Sequence, residues 1–338
     1  KVNVLKKEKD TDRVLEGAVF ALSAKEDITN KDGDVVLEAG TVIEEKATGE
    51  DGKLTFEADL PIGFSYVVKE TSPAPGFATT DEVQEFTFTA ESSDKATVSY
   101  EFIFEDEPTV FEFTKTSLTD GKEVEGAKLT VTDENGEVVD EWVSGKEPHI
   151  IKELVVGQTY TMTEVLPAPG YVTAESIQFT VEDTAEVQKI EMKDDVTKVE
   201  ISKTDIAGKE LPGAKLTILD ENGEVVEIWT STEEPHYIEM LPIGKYILHE
   251  ESAPEGYLIA EDVEFEVKDT GEIQKVVMKD EAEPEETPET PETPTTTVDA
   301  PKTGDHTPIA ALMISSGLGL AGVIAAVVWM KARKKKQD

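Results

Sequence analysis

The sequence predicts an all-β protein with three small β-sandwich domains in tandem, an extended spacer and a single C-terminal membrane helix. Residues 110–194 and 198–280 align almost without gaps, and residues 1–107 carry a looser copy of the same unit. Within each copy, short alternating runs of apolar and polar residues are separated by turn signals such as the Asn-Gly pairs at 135–136 and 222–223. An uncharged stretch near the C-terminus predicts the membrane helix.

The repeats set the predicted domain boundaries. We divide the chain into sandwiches at residues 1–107, 108–195 and 196–280, since short strands at this spacing are typical of β-sandwiches. The first domain carries an additional acidic segment, DITNKDGDVVLEAGTVIEEKATGEDG, which predicts extra hairpins. Neither C-terminal copy shows an amphipathic helical pattern.

The remainder of the chain changes composition abruptly. Residues 281–299 are rich in Pro, Glu and Thr, which cannot build a core and favour an extended spacer. APKTGD follows at residues 300–305, and residues 309–330 are uncharged for long enough to cross a bilayer as a helix. Residues 331–338 form a basic tail, which the positive-inside rule keeps in the cytoplasm. The domains before this span are therefore expected outside the cell.

Composition excludes several classes of function. The net charge of −41 disfavours nucleic acid and acidic surfaces as partners. The chain has no cysteine, so it can form neither a disulfide framework nor a thiolate metal site. An apolar fraction of 38% over 338 residues allows several small cores rather than one large enzyme with accessory domains.

Conventional catalytic and metal sites find little support. The four histidines have no metal-ligand spacing or triad order. Their positions are 149, 236, 249 and 306. Two of them lie in matching EPH triplets, which are expected to be equivalent turns, although they could line a site. The acidic DENGE turns and the segment at 30–34 could bind calcium but lack the full loop pattern.

A lysine interrupts an apolar strand face in each repeat. In VFEFTKT, Phe111 and Phe113 predict an inward face whose next position is Lys115. Two further strands of each repeat end the same way, with a glutamate and then an aspartate in phase with apolar residues. The charged residues are Lys6, Glu70 and Asp106; Lys115, Glu164 and Asp194; and Lys203, Glu250 and Asp280. An ordinary buried ion network, or exposed strand ends, would also explain each single set.

The C-terminal order of spacer, PKTG, apolar span and basic tail resembles the cell-wall sorting signal of Gram-positive surface proteins. The resemblance implies that the transpeptidase sortase cuts between Thr303 and Gly304 and joins Thr303 to an amine of the peptidoglycan precursor. The motif would comprise Ala300, Pro301, Lys302, Thr303 and Gly304. Ala300 stands where the family pattern has Leu, which leaves the sortase class open.

The repeats carry a second resemblance. YxxxE followed by PxGY or PxGF, with a preceding Lys and a final strand ending in Asp, resembles the SpaA or Cna B-type, prealbumin-like domain of pilins and adhesins. The resemblance implies intramolecular isopeptide bonds from Lys6 to Asp106, Lys115 to Asp194 and Lys203 to Asp280. Glu70, Glu164 and Glu250 would assist the condensation. Many members use Asn as the acceptor, so here water rather than ammonia would leave.

The proposed condensation has a physical basis in the sequence. Amide formation requires a neutral amine and a neutral carboxylic acid. Burial disfavours charge, so an apolar core lowers an amine pKa and raises a carboxyl pKa. A folded sandwich would also hold the two groups together, and a protonated glutamate could relay protons. This is a single self-modification rather than enzymatic turnover, and it implies no cofactor.

These features predict a structural surface protein. We expect the stalk of a wall-anchored adhesin or a terminal or minor pilus subunit; the YPK-like lysine motif of polymerising pilins is not found. The partners would be sortase and either a peptidoglycan precursor or a pilus subunit, with a membrane stage only before sorting. Because the sequence starts inside an apparent strand, we expect a mature form or fragment. The alternative is the stalk of a surface enzyme whose catalytic domain precedes Lys1; an N-terminal region could equally bind a host or extracellular ligand.

Overall fold

Three β-sandwiches of one plan make up residues 1–89 and 98–284, the part of the chain that the computed structural model describes. All regular secondary structure in these residues is β-strand, so the all-β prediction is confirmed. Nothing in this described part forms a helix of the length and hydropathy needed to cross a bilayer. The spacer from residue 285 onward, the sorting motif, the apolar span and the basic tail lie outside the described residues.

The described residues form twenty-three strands in three modules, and we number the strands from the N-terminus. The first module contains β1 (Val2–Glu8), β2 (Val19–Ala24), β3 (Ile28–Thr29), β4 (Val35–Leu37), β5 (Val42–Ala47), β6 (Lys53–Phe56), β7 (Ser65–Ser72), β8 (Val83–Thr87) and β9 (Tyr100–Asp106). The second contains β10 (Val110–Ser117), β11 (Lys128–Thr132), β12 (Val138–Val143), β13 (His149–Lys152), β14 (Thr159–Leu166), β15 (Ile177–Thr180) and β16 (Val187–Asp194). The third contains β17 (Lys198–Asp205), β18 (Lys215–Asp220), β19 (Val225–Thr230), β20 (His236–Glu239), β21 (Gly244–Ser252), β22 (Val263–Val267) and β23 (Ile273–Asp280).

Each module packs a three-stranded sheet against a four-stranded sheet. The three-stranded sheets have the orders β6-β1-β9, β13-β10-β16 and β20-β17-β23. The four-stranded sheets have the orders β5-β2-β7-β8, β12-β11-β14-β15 and β19-β18-β21-β22. In every three-stranded sheet the first strand of the module is central and pairs in parallel with the last strand. The first and last strands of each module therefore lie side by side, and because they run in parallel, the N-terminal and C-terminal ends of the module lie at opposite ends of this strand pair.

The core of each module lies between its two sheets. Strand alternation sends every second residue of β10 inward, so Phe111, Phe113 and Lys115 are all buried. Phe113 packs edge-on against Phe179 of the facing sheet, with ring centroids 5.5 Å apart. The lysine therefore lies on the same inward strand face as the two buried phenylalanines.

The acidic DENGE turns are closed by their own aspartates. The Asp133 carboxylate accepts hydrogen bonds from the backbone N–H groups of Asn135 and Glu137, at 2.9 and 2.8 Å. Gly136 adopts the left-handed φ of 80° that this turn requires. Asp220 repeats the arrangement in the third module. Among residues 1–89 and 98–284, no acidic or histidine cluster suited to a metal ion is found, and these turns need no calcium to explain their aspartates.

The inserted acidic segment of the first module forms one small hairpin and one longer edge strand. Strands β3 and β4 pair as an antiparallel two-stranded sheet. Its turn is closed by Asn30, whose side-chain oxygen accepts from the N–H groups of Asp32 and Asp34, each at 2.9 Å. One hairpin is therefore present between residues 28 and 37.

Candidate functional site

A lysine, a glutamate and an aspartate meet in the interior of every module. The lysine Nζ contacts Oδ1 of the aspartate in all three pairs, Lys6–Asp106, Lys115–Asp194 and Lys203–Asp280. The same Nζ lies 3.0, 3.1 and 3.0 Å from a carboxylate oxygen of Glu70, Glu164 and Glu250 respectively. All nine side chains are buried. We call each set a triad; they are the nine residues singled out by the sequence pattern.

Strand register explains why each triad forms. In the second module Lys115 pairs with Met192 in the parallel ladder, and Asp194 lies two residues further along β16. Period-two alternation therefore turns Lys115 and Asp194 toward the same side of the sheet. Glu164 comes from β14 of the facing sheet, and its carboxylate reaches the pair across the core. Both sheets must close before the three groups can meet.

The glutamate is held in place by a backbone donor. The N–H of Ala174 donates to Oε2 of Glu164 at 2.6 Å, leaving Oε1 nearest to Lys115. The equivalent donors are the N–H groups of Thr80 to Glu70 at 2.9 Å and of Ala260 to Glu250 at 2.7 Å. Each donor lies four residues after the glycine of the Gly-Phe or Gly-Tyr corner in its own repeat, so the corner that follows the glutamate strand also orients the glutamate.

Aromatic rings exclude water from the triad of the first module. Phe20 and Phe104 pack with their ring centroids 4.8 Å apart, and Lys6 Nζ lies 5.5 Å above the Phe20 ring. Both rings are fully buried. Charge is costly in such surroundings because few dipoles replace the lost hydration.

Burial shifts the titration of all three aspartates in one direction. It raises the pKa of Asp106 to about 7, against the opposing hydrogen bond from Lys6, and the neighbouring Glu70 raises it further. Burial likewise raises the pKa of Asp194 to about 6, with Lys115 opposing. The pKa of Asp280 is also raised, again chiefly by burial. The buried setting thus favours a protonated carboxyl in each triad.

Unpaired oxygens point to the same protonation state. In the described residues, Oδ2 of each triad aspartate and Oε1 of Glu250 lack a hydrogen-bond donor, and the lysine Nζ, at 3.0 and 3.1 Å, is the one donor group near Oε1 of Glu70 and of Glu164. A buried acceptor left unpaired costs free energy, about 1–3 kcal/mol. One proton shared between the two carboxyl groups would supply a donor, because a protonated carboxyl carries an O–H. A triad with that proton holds one amine, one carboxyl electrophile and one proton donor in contact.

A family comparison matches all three modules. The model for the SpaA domain, described as a prealbumin-like fold domain, matches residues 1–101, 109–196 and 197–282. The chain belongs to this family. A search of curated proteins found no significant match.

Solved structures that match this chain include two major pilins. The Bacillus anthracis TIE protein is 28% identical with a TM-score of 0.43, and the match covers 82% of this chain and 50% of that one. Our chain therefore spans about half the length of that protein. SpaD, a major pilin of Corynebacterium diphtheriae, is 15% identical with a TM-score of 0.40, covering 82% and 96%. BcpA, the major pilin subunit of Bacillus cereus, is 15% identical with a TM-score of 0.34, covering 83% and 99%.

Two further lysines of the first SpaA domain do not enter its triad. Lys7 lies on the opposite strand face and forms an ion pair with Asp12 at 3.4 Å. Lys9 contacts Glu107 at the surface, where both side chains are about half exposed. The strand period therefore leaves Lys6 as the amine that faces Asp106.

The matching histidines of the second and third SpaA domains occupy equivalent strand starts. His149 stacks on Trp142 with centroids 4.3 Å apart, and its Nε2 lies 2.8 Å from Asp140. His236 stacks on Trp229 at 4.4 Å. Each tryptophan lies on an edge strand of the four-stranded sheet, β12 or β19, and each histidine is the first residue of an edge strand of the three-stranded sheet, β13 or β20. The matching EPH triplets indicated that the two histidines are equivalent, but their packing against tryptophan was not predicted.

Proposed function

We propose that this chain is the stiff stalk of a Gram-positive surface protein, either a wall-anchored adhesin or a terminal or minor pilus subunit, with each SpaA domain closed by a Lys–Asp isopeptide bond. The observation that carries the proposal is the threefold occurrence of the buried triad, always between the first and last strands of a module. In each module the Lys–Asp contact lies between the strand that enters the module and the strand that leaves it, where a covalent bond would carry the load.

The bond would form by direct condensation. The neutral lysine Nζ attacks Cγ of the aspartate, and the proton shared with the adjacent glutamate passes to the carboxyl oxygen as the tetrahedral centre forms, while the glutamate takes up a proton from the amine. The glutamate then returns protons as the C–O bond breaks. One amide bond is made, and one carboxyl oxygen leaves as water with two protons. Proximity supplies much of the acceleration, since the amine and the carboxyl are already in contact.

The bond positions suit a load-bearing role. β9 ends at Asp106 and β10 begins at Val110, while β16 ends at Asp194 and β17 begins at Lys198. Tension would therefore enter a module along its first strand, cross the Lys–Asp bond and leave through the short connector. The long segment between the two bonded residues would carry no load. A stalk built this way transmits force without unfolding.

Attachment to the wall is supported by the order of the C-terminal segments. A Pro-rich spacer, the APKTGD motif, an uncharged span and a basic tail follow each other between residues 281 and 338. Sortase would cleave after Thr303, and the extended spacer would span the wall and place the SpaA domains beyond it.

Wall attachment is tested by fractionating a Gram-positive host that exports the full chain behind a signal peptide. The parent protein is expected in the peptidoglycan fraction, released only by muralytic digestion. Thr303→Ala should move it to the membrane fraction, whereas the spacer variant Thr297→Ala should behave as the parent does. Detergent extraction of the parent, or wall attachment of Thr303→Ala, would contradict the proposed anchoring.

A further inference from the structure

The boundaries between modules contain a repeated set of contacts that the crosslink chemistry does not use. At the first boundary, the connector residue Thr109 is fully buried. Its N–H donates to the Gly76 carbonyl of the first module at 3.0 Å, and its hydroxyl donates to the Leu154 carbonyl of the second module at 2.7 Å. Thr197 makes the same bonds, to Gly170 and Leu241, at the second boundary. Each connector is thus bonded to the modules on both sides.

A second attachment lies on a different loop. Thr79, three residues beyond Gly76, donates its N–H and its hydroxyl to the two carboxylate oxygens of Asp183, at 2.8 and 2.7 Å. Asp183 belongs to the loop between β15 and β16, whereas Leu154 belongs to the loop between β13 and β14. Two separate loops of the second module are therefore tied to the first. At the second boundary, the N–H of Thr173 donates to Asp269 at 2.8 Å.

The backbone at both boundaries is shaped for close contact. Glu153 and Met240 adopt left-handed φ values of 64° and 63°, which is uncommon for residues other than glycine. A Cβ at Gly76 would lie 2.8 Å from Glu153, and a Cβ at Gly170 would lie 2.5 Å from the Met240 carbonyl oxygen. Such strain persists only where the surrounding contacts determine the conformation. The same left-handed residue and crowded glycine occur at both boundaries, which indicates a specific interface between the modules.

The third module provides an internal comparison. Its corresponding corner has Ile259 where the first two modules have Thr79 and Thr173, and Ile259 is 61% exposed. A Cβ at its glycine, Gly256, would meet nothing within 4 Å. In the described residues, the threonine and the crowded glycine therefore occur only where another SpaA domain packs against the corner.

We propose that the Thr79–Asp183 and Thr173–Asp269 contacts are clamps that lock successive SpaA domains into one rigid rod. A connector alone permits bending and twisting about its backbone, and relative motion of linked domains is the usual expectation when the interface is small. A second attachment on another loop removes those motions. The clamps contain no triad residue, but Thr79 and Thr173 precede the residues whose N–H groups orient Glu70 and Glu164, so the variants that test the clamps are placed at the aspartates.

The clamps are tested by pulsed dipolar spectroscopy on spin-labelled full-length chain. The protein has no native cysteine, so paired labels can be placed without background. Lys31→Cys with Glu147→Cys spans the first boundary, and Glu147→Cys with Glu234→Cys spans the second; all three positions are exposed. We expect a narrow distance distribution across each boundary. Asp183→Ala should broaden the first distribution and leave the second unchanged, and Asp269→Ala should do the reverse.

The matched controls remove a charge from the same loops without touching a clamp. They are Glu186→Ala for the first boundary and Glu272→Ala for the second, and both should keep the parent distributions. Intact mass of each variant should equal that of the parent apart from the substitution, which separates this test from the crosslink proposal. A broad parent distribution, or equal widths for Asp183→Ala and Glu186→Ala, would overturn the clamp.

Discussion

Removing the amine of the second triad should convert an inextensible module into one that unfolds under load. In Lys115→Met, an apolar chain of similar length fills the space, but no amide can form. Lys115 and Asp194 are 79 positions apart in the chain. At about 3.5 Å per residue, that segment has a contour length of roughly 280 Å.

In the folded module, the distance between Lys115 and Asp194 is short compared with this contour length. Lys115 pairs beside Met192, so its bonding partner Asp194 is only two residues along the neighbouring strand. Subtracting about 8 Å, for one spacing between adjacent strands and two residues along the strand, leaves an expected gain of about 270 Å when the variant module unfolds. In the parent, the bond carries the load and this step is absent.

The assay is single-molecule force spectroscopy on the full-length chain held between marker domains of known unfolding length. Lys189→Met is the matched control, because Lys189 is an exposed lysine on the same module that pairs with Glu112 at 2.8 Å. It should give the parent trace. A step of about 270 Å in the parent, or its absence in Lys115→Met, would refute the load path.

Two further predictions concern the chemistry and the stability of the second module. Glu164→Gln should leave Lys115 and Asp194 unlinked. By analogy with a disulfide that closes a loop of this length, the free energy of unfolding should fall by about 4.5 kcal/mol. Chemical denaturation measures this change, and the exposed control Glu186→Gln should match the parent. Unfolded chain can be recovered from inclusion bodies and refolded at a set pH. In each module, the rate of bond formation should follow the fraction of molecules whose triad retains the shared proton. Because burial raises the pKa of Asp194 to about 6 and that of Asp106 to about 7, the rate should fall about tenfold per pH unit above each value, and the first module should stay reactive to higher pH. Asp194→Asn should lose this fall in the second module, since an amide is neutral throughout; a rate that rises with pH in the parent would show that lysine deprotonation controls the reaction instead.

The triads were largely predictable from the sequence because strand periodicity is a local signal. Phe111 and Phe113 determine the inward face, and the same period places Lys115 on it, although an exposed strand end also fitted the pattern of a single repeat. Repetition of the pattern in three copies then selected Glu164 and Asp194 as its companions. The parallel pairing of first and last strands was not read from the pattern, because it depends on how the two sheets close.

The joints between modules could not be predicted in the same way. Thr79 and Asp183 are 104 positions apart and lie in loops that carry no periodic signal. Threonine and aspartate are also ordinary residues for exposed loops, so their pairing emerges only when the modules are packed together. The Trp142–His149 stack is similar: the histidine was noticed as part of a repeated triplet, but its partner comes from a strand of the other sheet.

Intact-mass measurement of the full-length chain tests the crosslinks most directly. The mass of the purified protein should be lower than the mass calculated from its sequence by three water molecules. Each of the variants Lys6→Met, Lys115→Met and Lys203→Met should be lower than its own calculated mass by two. Fragmentation should place the links between Lys6 and Asp106, Lys115 and Asp194, and Lys203 and Asp280. A folded chain that has the full mass of its sequence would contradict the condensation in all three SpaA domains.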